Sequence, residues 1–310
     1  MDALTGLLDG TRAKGAFLLR SAMNPPWSVR VQDRAPLTLV ALTAGDAWIV
    51  PEGGEPRQMR AGDIALLRGP EPYVVADTPA TPPQMFIHPD QRCTTADGTE
   101  LYKDFALGVR SWGNAAEGAT GMLIGTYRCD REIGRRLLGA LPQLAVVPAF
   151  DSPLLPLLGE EIVRDAPGQD VVLDRLLDLL IIAVLRAWFS RPEAEAPAWY
   201  RAHGDPVVGR AMRLLQADPA RPWTVASLAT ATGVSRATLA RRFGDLLGEP
   251  PMGFLADLRL TLAADLLREP DATVGAVAGK VGYGTPFALS AAFKRARGVS
   301  PREYRRLAGV

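Results

Sequence analysis

The chain has 310 residues, a formal net charge of +1 and two cysteines. That length supports two domains with cores of their own, two cysteines exclude a disulfide framework and suit a reducing compartment, and the longest apolar run, Leu179 to Leu185 between Asp178 and Arg186, is too short to cross a membrane. The near-neutral total hides a split: from Val207 to Val310 there are 15 Lys and Arg against 8 Asp and Glu, a net of +7, which leaves −6 for the rest. A basic C-terminal part beside an acidic N-terminal part fits one nucleic-acid-binding domain and one domain with another task.

In chain order, Met1-Asp2-Ala3-Leu4 lacks the basic and apolar regions of a secretory signal, so a cytoplasmic protein is expected. Residues 2–20 read as a helix carrying Leu4, Leu7 and Leu8 that leads into a strand at 16–19. From Trp27 the period shortens to strand-like runs at 28–31, 37–42, 46–50, 63–67, 73–76 and 84–87, then 105–112 and 120–127. They are punctuated by Ala44-Gly45, Glu52-Gly53-Gly54, Ala61-Gly62-Asp63 and Gly69-Pro70. Many short strands between Gly and Pro turns indicate a sandwich or barrel. Gly45-Asp46-Ala47-Trp48 and Met59-Arg60-Ala61-Gly62-Asp63 resemble a cupin, a small jelly-roll barrel, over about residues 27–127. Catalytic cupins hold a metal with several histidines and a carboxylate, and Tyr73 stands where such proteins often place a histidine. This chain has only His88 and His203, so no metal, cofactor or catalytic residue is expected, and no enzyme.

A barrel without a metal can still take a small molecule in an apolar mouth. Trp27, Trp48, Tyr73, Phe86, His88 and Trp112 are the candidates for its lining. The cysteines offer an alternative. Cys93 sits in what reads as an exposed polar loop beside Arg92, and Cys129 lies beside Arg128. A neighbouring guanidinium lowers a thiol pKa and favours the reactive thiolate, so oxidation of Cys93 or Cys129 is a second way to sense a signal. Next come a helix in 130–148 ending in an extended stretch at 144–147, and two amphipathic helices at 154–163 and 171–189. The second has Leu173, Leu176, Leu177, Leu180, Ile181, Val184 and Trp188 along one side. Ser190 to Pro197 is small, charged and Pro-punctuated, as a linker is. The division expected is a sensor barrel at 1–150, a helical segment at 151–189, a linker at 190–198 and a helical domain at 199–310, its first helix at 207–216.

The last quarter writes one pattern twice. Thr224-Val225-Ala226-Ser227-Leu228-Ala229, Gly233-Val234-Ser235, Leu239 and Phe243 recur as Thr273-Val274-Gly275-Ala276-Val277-Ala278, Gly282-Tyr283-Gly284-Thr285, Leu289 and Phe293. The threonines are 49 apart and the Leu and Phe pairs 50, so the second copy has one extra residue in its turn. Thr224 and Ser235 can cap helices, Gly233 can turn the chain at φ > 0, and Leu228, Leu239 and Phe243 make a core. This is helix, turn, helix, the second helix being the one that enters a major groove. In copy one that helix offers Ser235, Arg236, Ala237, Thr238, Ala240, Arg241 and Arg242. In copy two it offers Thr285, Pro286, Phe287, Ser290, Ala291, Lys294, Arg295 and Arg297. Between them residues 252–267 form a rod roughly 24 Å long at ~1.5 Å per residue.

Trp223 to Ala229, Gly233-Val234-Ser235, Leu239 to Phe243, Pro250-Pro251, Val281-Gly282-Tyr283 and the closing Phe293-Lys294-Arg295, Gly298-Val299-Ser300-Pro301 and Tyr304-Arg305 resemble the AraC/XylS family of transcription regulators over about a third of the chain. The resemblance implies a seven-helix, two-lobed DNA-binding domain, base reading by Ala237, Ala240 and Arg241, and a second lobe in which Ala291 replaces a frequent base-contacting arginine. The whole is then α+β and multidomain: an N-terminal cupin-like β-barrel with a helical dimerisation segment, and a C-terminal all-α tandem helix-turn-helix domain. The partners implied are double-stranded promoter DNA, RNA polymerase, a small-molecule effector or an oxidant, and a second copy of the chain.

Overall fold

The computed structural model describes residues 18–307 apart from 102, 128–131, 193 and 195. The helix expected near the N-terminus and Cys129 lie outside the described residues. Residues 18–127 with 137–194 form one compact unit, and 132–136 with 196–307 form another.

The first unit is a two-sheet sandwich. Its strands are β1 (Leu18–Met23), β2 (Ser28–Val31), β3 (Leu37–Ala44), β4 (Asp46–Pro51), β5 (Arg57–Arg60), β6 (Ile64–Arg68), β7 (Tyr73–Ala76), β8 (Met85–Ile87), β9 (Cys93–Thr94), β10 (Ala106–Gly108), β11 (Ser111–Gly113), β12 (Thr120–Tyr127) and β13 (Leu144–Val147). One sheet runs β10-β11-β1-β12-β3-β6-β13 and the other β5-β4-β7-β2-β8-β9. Both are mixed, with parallel pairs at β1·β11 and β2·β8. The strands expected at 28–31, 73–76 and 120–127 fall where the alternation puts them. β5 and β9 were not anticipated, and the run at 105–112 breaks into β10 and β11 across an irregular register. Alternation sends one side chain in two inward. In β4, Ala47 and Ile49 are buried while Trp48 stands on the other face, half-buried.

After β12 come α1 (Glu132–Gly139), α2 (Leu154–Glu161) and α3 (Gln169–Phe189). On α3, Leu173, Leu177, Leu180, Ile181 and Val184 are buried at helical spacing. The Tyr127 hydroxyl donates to the Leu177 carbonyl at 3.0 Å, and Arg110 is ion-paired with Asp170. Val171, Val172 and Leu179 of the same helix are exposed.

The second unit is helical: α4 (Ala198–His203), α5 (Val208–Ala217), α6 (Val225–Thr232), α7 (Arg236–Leu247), α8 (Pro251–Leu266), α9 (Val274–Val281), α10 (Pro286–Arg297) and α11 (Pro301–Leu307). It has two cores. The first gathers Val208, Met212, Leu215, Leu228, Leu239 and Phe243 with Leu255 of α8. The second gathers Val277, Ala278, Val281, Leu289 and Phe293 with Leu260, Ala263 and Ala264 of the same helix. Pro250 and Pro251 start α8, the latter in the first turn, where a missing N–H costs nothing.

The two copies are capped alike. Thr224 Oγ1 accepts from the Ser227 N–H at 3.0 Å and Ser227 Oγ accepts from the Thr224 N–H at 3.0 Å, a reciprocal capping box. Thr273 accepts from the Ala276 N–H at 3.2 Å. Gly233 and Gly282 close α6 and α9 at φ of 75° and 82°. They differ in space: a Cβ on Gly233 meets nothing, while one on Gly282 would lie 2.6 Å from the Ala220 carbonyl oxygen. Gly233→Ala is therefore expected to cost about 1 kcal/mol, the penalty of a left-handed alanine, and Gly282→Ala clearly more. Urea unfolding followed by far-UV circular dichroism measures both, and equal losses would show that the backbone at Ala220 gives way freely.

Candidate nucleic-acid interface and barrel cavity

α7 is positioned by its cap and its buried face. Ser235 Oγ accepts from the Thr238 N–H at 3.1 Å and lies 2.9 Å from the Thr238 hydroxyl. Leu239 and Phe243 point into the first core. The opposite face presents Ser235, Arg236, Ala237, Ala240 and Arg241, all exposed. Arg241 reaches Asp245 one turn on at 3.5 Å. This is an exposed i,i+4 pair that contributes little and yields readily to a stronger partner. Arg236 makes no ion pair among the described residues.

Arg242 does not belong to that face. Its guanidinium is half-buried and bonds Asp205 at 2.6 Å. Asp205 also accepts from the Val207 and Val208 N–H groups at 2.9 and 2.8 Å. Burial raises the Asp205 carboxyl, but the N–H groups of Val208 and Val207 and the Arg242 guanidinium outweigh it and hold the carboxyl below its usual range. Arg242 thus ties α7 to the start of α5. Leu239 lies four positions after α7's cap and Phe243 four after that, so the helix turns positions 239 and 243 inward and leaves 242 beside them.

α10 repeats the geometry with different chemistry. Thr285 caps it through the Ala288 N–H at 3.1 Å, and Pro286 fills its first turn. Phe287, 85% exposed, stands next to Pro286, Ala288 and Ala291, all exposed, and Ser290 is half-buried. One to two turns on, Lys294 and Arg295 are exposed and make no ion pair among the described residues. Arg297 is engaged elsewhere, with Glu132 at 2.6 Å and Thr261 at 3.4 Å, so it is not among the outward cations.

The sandwich encloses a cavity of about 240 Å³. Inward positions of five strands line it in period two: Leu19 and Ser21, Val29 and Val31, Thr38 and Val40, Tyr73 and Val75, and Met122, Ile124 and Thr126, with Ile87, Trp112 and Cys93. Asp33, Gln91 and Arg110 complete the lining. Of the six side chains expected there, Tyr73 and Trp112 line it. Trp27 is fully buried in the sandwich core without lining the cavity, and Trp48 and Phe86 sit on the outward parity of β4 and β8. His88 uses both ring nitrogens elsewhere, towards Gln32 at 3.3 Å and Thr94 at 2.9 Å. Asp33 was missed, although Val29, Val31 and Asp33 share one parity, and that spacing was the available signal. Trp112 is held by stacking on Phe105, centroids 5.2 Å apart. Burial, then the Asp33 charge, pushes the Tyr73 phenol well above its ordinary value, so it stays a hydrogen-bond donor. Among the described residues no three His, Cys, Asp or Glu side chains gather as a metal site.

Cys93 is a correction. It was expected in an exposed loop with its thiol activated by Arg92. Instead it pairs with Ile87 in β9 and is 4% exposed. Burial pushes its thiol up to about 11, while Arg92 turns to Asp90 at 2.5 Å. The thiolate is disfavoured, not promoted.

A cupin-like sandwich joined in one chain to two capped helix-turn-helix lobes defines a DNA-binding transcription regulator. Residues 2–190 match the cupin family and residues 228–307 the helix-turn-helix domain family. An AraC-like transcription regulator of Streptomyces lividans is 31% identical over 315 residues, covering 99% of this chain and 98% of its own. The HTH-type transcriptional regulator AlkR of Acinetobacter baylyi is 28% identical over 319 residues, covering 98% and 99%. The DNA-binding domain of AdpA, a global transcriptional factor crystallised with a target DNA, is 35% identical over 34% of this chain and 93% of that one, with a TM-score of 0.32. The chain belongs to the AraC-like family of transcription regulators.

The buried thiol has a direct check. In Cys129→Ser protein, Cys93 is expected to react with a thiol reagent such as dithionitrobenzoate at least about a hundredfold more slowly in the native state than in urea, because both exposure and thiolate fraction are low. Comparable rates in the two states would place Cys93 at the surface.

Proposed function

We propose that the protein is a dimeric, effector-responsive regulator that acts by binding and not by catalysis. In this reading a small molecule occupies the sandwich cavity, and the helical unit grips promoter DNA with two unequal helices. The observation that carries it is the difference between the outer faces of α7 and α10. α7 offers Arg236 and Arg241, the latter tied only to an exposed Asp245, from a helix with small residues at Ala237 and Ala240. An arginine so placed can pair bidentately with guanine O6 and N7. α10 offers Phe287, Ala288 and Ala291 and then Lys294 and Arg295, which suits apolar and phosphate contact more than hydrogen-bonded base reading. The exposed Val171, Val172 and Leu179 of α3 support a second copy of the chain as their cover. RNA polymerase at the same promoter is the natural further partner of such a regulator.

The alternative, switching by oxidation of Cys93 or Cys129, loses support from the buried, raised thiol of Cys93. We therefore place the signal in the cavity.

Three substitutions separate the roles, measured by mobility-shift titration on a site selected from random DNA. Arg241→Ala is expected to cost roughly 1–3 kcal/mol at that site and to relax preference at one base pair. Lys294→Ala should weaken specific and non-specific DNA alike and reduce the salt slope by about 1. Arg242→Ala should instead lower the stability of the helical unit, because Asp205 would be left half-buried without its cation. If Arg241→Ala leaves affinity and base preference unchanged, the assignment of direct reading to α7 is wrong.

A further inference from the structure

The cavity lining carries its charges unequally. Most of its wall is aliphatic, with Trp112 held flat by Phe105. Two ionised side chains face it, and they differ in what they already bind. The Arg110 guanidinium is ion-paired with Asp170 of α3. Asp33 has no cation among the described residues: one carboxylate oxygen accepts from the Ala35 N–H at 3.0 Å, and the other has only a long contact, 3.4 Å, with the Gln91 amide. Tyr73 stands close enough for the Asp33 charge to act on its phenol. The polar end of the cavity is thus a carboxylate with an open acceptor oxygen, flanked by a neutral phenol and a neutral amide.

From this arrangement we infer that the effector is an organic monocation, an ammonium group on an apolar or aryl body, with its cationic head on Asp33 and its body along Val29, Val40, Val75, Ile124 and Trp112. This rests on the reading of the cavity as the effector site and adds to it the charge of the ligand. An ammonium gives Asp33 the charge-assisted hydrogen bonds it lacks, and in a largely apolar cavity such bonds are stronger than at a surface. Tyr73, held protonated, accepts a further N–H through its oxygen or offers its ring face to the cation. An anionic ligand meets the opposite situation. It would face the unneutralised Asp33 and would have to draw Arg110 away from Asp170.

Three molecules of nearly equal size isolate the head group: 4-phenylbutylammonium, 4-phenylbutanol and 4-phenylbutyrate. Their binding to the purified full-length protein is measured by calorimetry at neutral pH, with Trp fluorescence as a second readout. The ammonium is expected to bind about tenfold or more tightly than the alcohol, the worth of one charge-assisted bond, and the carboxylate more weakly than either. Asp33→Asn, which keeps an oxygen for the Ala35 N–H, should erase the preference for the ammonium over the alcohol. Thermal unfolding of the variant confirms that it is folded. Two results overturn the inference while leaving the cavity as a ligand site. In one, the ammonium binds no better than the alcohol, or keeps its advantage in Asp33→Asn. In the other, phenylbutyrate binds best, which would make Arg110 the recognition group. If none of the three binds at all, the reading of the cavity as an effector site falls together with the inference.

Discussion

The helical unit depends on one helix that is shared between two cores. α8 gives Leu255 to the first core and Leu260, Ala263 and Ala264 to the second. It has no polar stripe wide enough to make it an ordinary surface helix, because successive parts of it are covered from different sides. α7 and α10 are each fixed to α8 through their own Leu and Phe, Leu239 with Phe243 and Leu289 with Phe293. Whatever sets the axis of α8 therefore sets the spacing of α7 and α10. The Arg259 side chain of α8 reinforces this by donating to the carbonyls of Pro219 and Arg221 at 2.7 and 2.8 Å, which fastens the segment between α5 and α6 to the shared helix. Partial burial disfavours its charge and lowers its pKa, the cost of placing a cation where it can hold two backbone carbonyls.

Shared scaffolding leaves the two outer faces free to diverge. The capping threonines, the left-handed glycines and the paired Leu and Phe residues recur because backbone geometry and core volume demand them. Nothing in that scaffold specifies positions 236, 237, 240 and 241 or their counterparts 286, 287, 290 and 291. The first set became a small-residue surface with two arginines and the second an apolar surface with trailing cations. Phe287, 85% exposed, takes no part in the second core, which α10 enters through Leu289 and Phe293. In the DNA-binding reading proposed above, an apolar side chain at this place can meet thymine methyl groups.

The scaffold was legible in the sequence for the same reason that it repeats. Caps, turn glycines and i, i+3, i+4 spacing are local rules, and they located α6 to α10 and the glycines between them. Alternation located β2, β7 and β12 equally well. Tyr73 and Trp112 line the cavity as their types suggest, but several placements that needed the third dimension failed. Trp48 and Phe86 look like pocket residues by type, yet one step of strand parity turns them outward. Cys93 lies in a run of polar letters, but a two-residue strand carries it under the sheet, and exposure decides its chemistry. Arg242 and Arg297 read as outward cations until Asp205 and Glu132, distant in sequence, are seen beside them. Asp33 was readable from the parity of Val29 and Val31, had the pattern been continued beyond the end of β2.

Among the described residues, the cavity wall and α3 share polar contacts of two kinds. β12 lines the cavity with Met122, Ile124 and Thr126, and its next residue, Tyr127, is fully buried and donates to a backbone carbonyl in the middle of α3. Arg110, itself on the cavity wall, pairs with Asp170 in the first turn of α3, where a negative side chain also suits the helix dipole. The Tyr127 bond is out of reach of water and holds the middle of the helix. The Arg110 pair is largely solvent-exposed and contributes little on its own. Val171 and Val172, beside Asp170 in that first turn, are exposed. The helix that carries the exposed apolar residues is thus the one that the cavity holds by one firm and one labile contact, and the labile contact lies beside those residues.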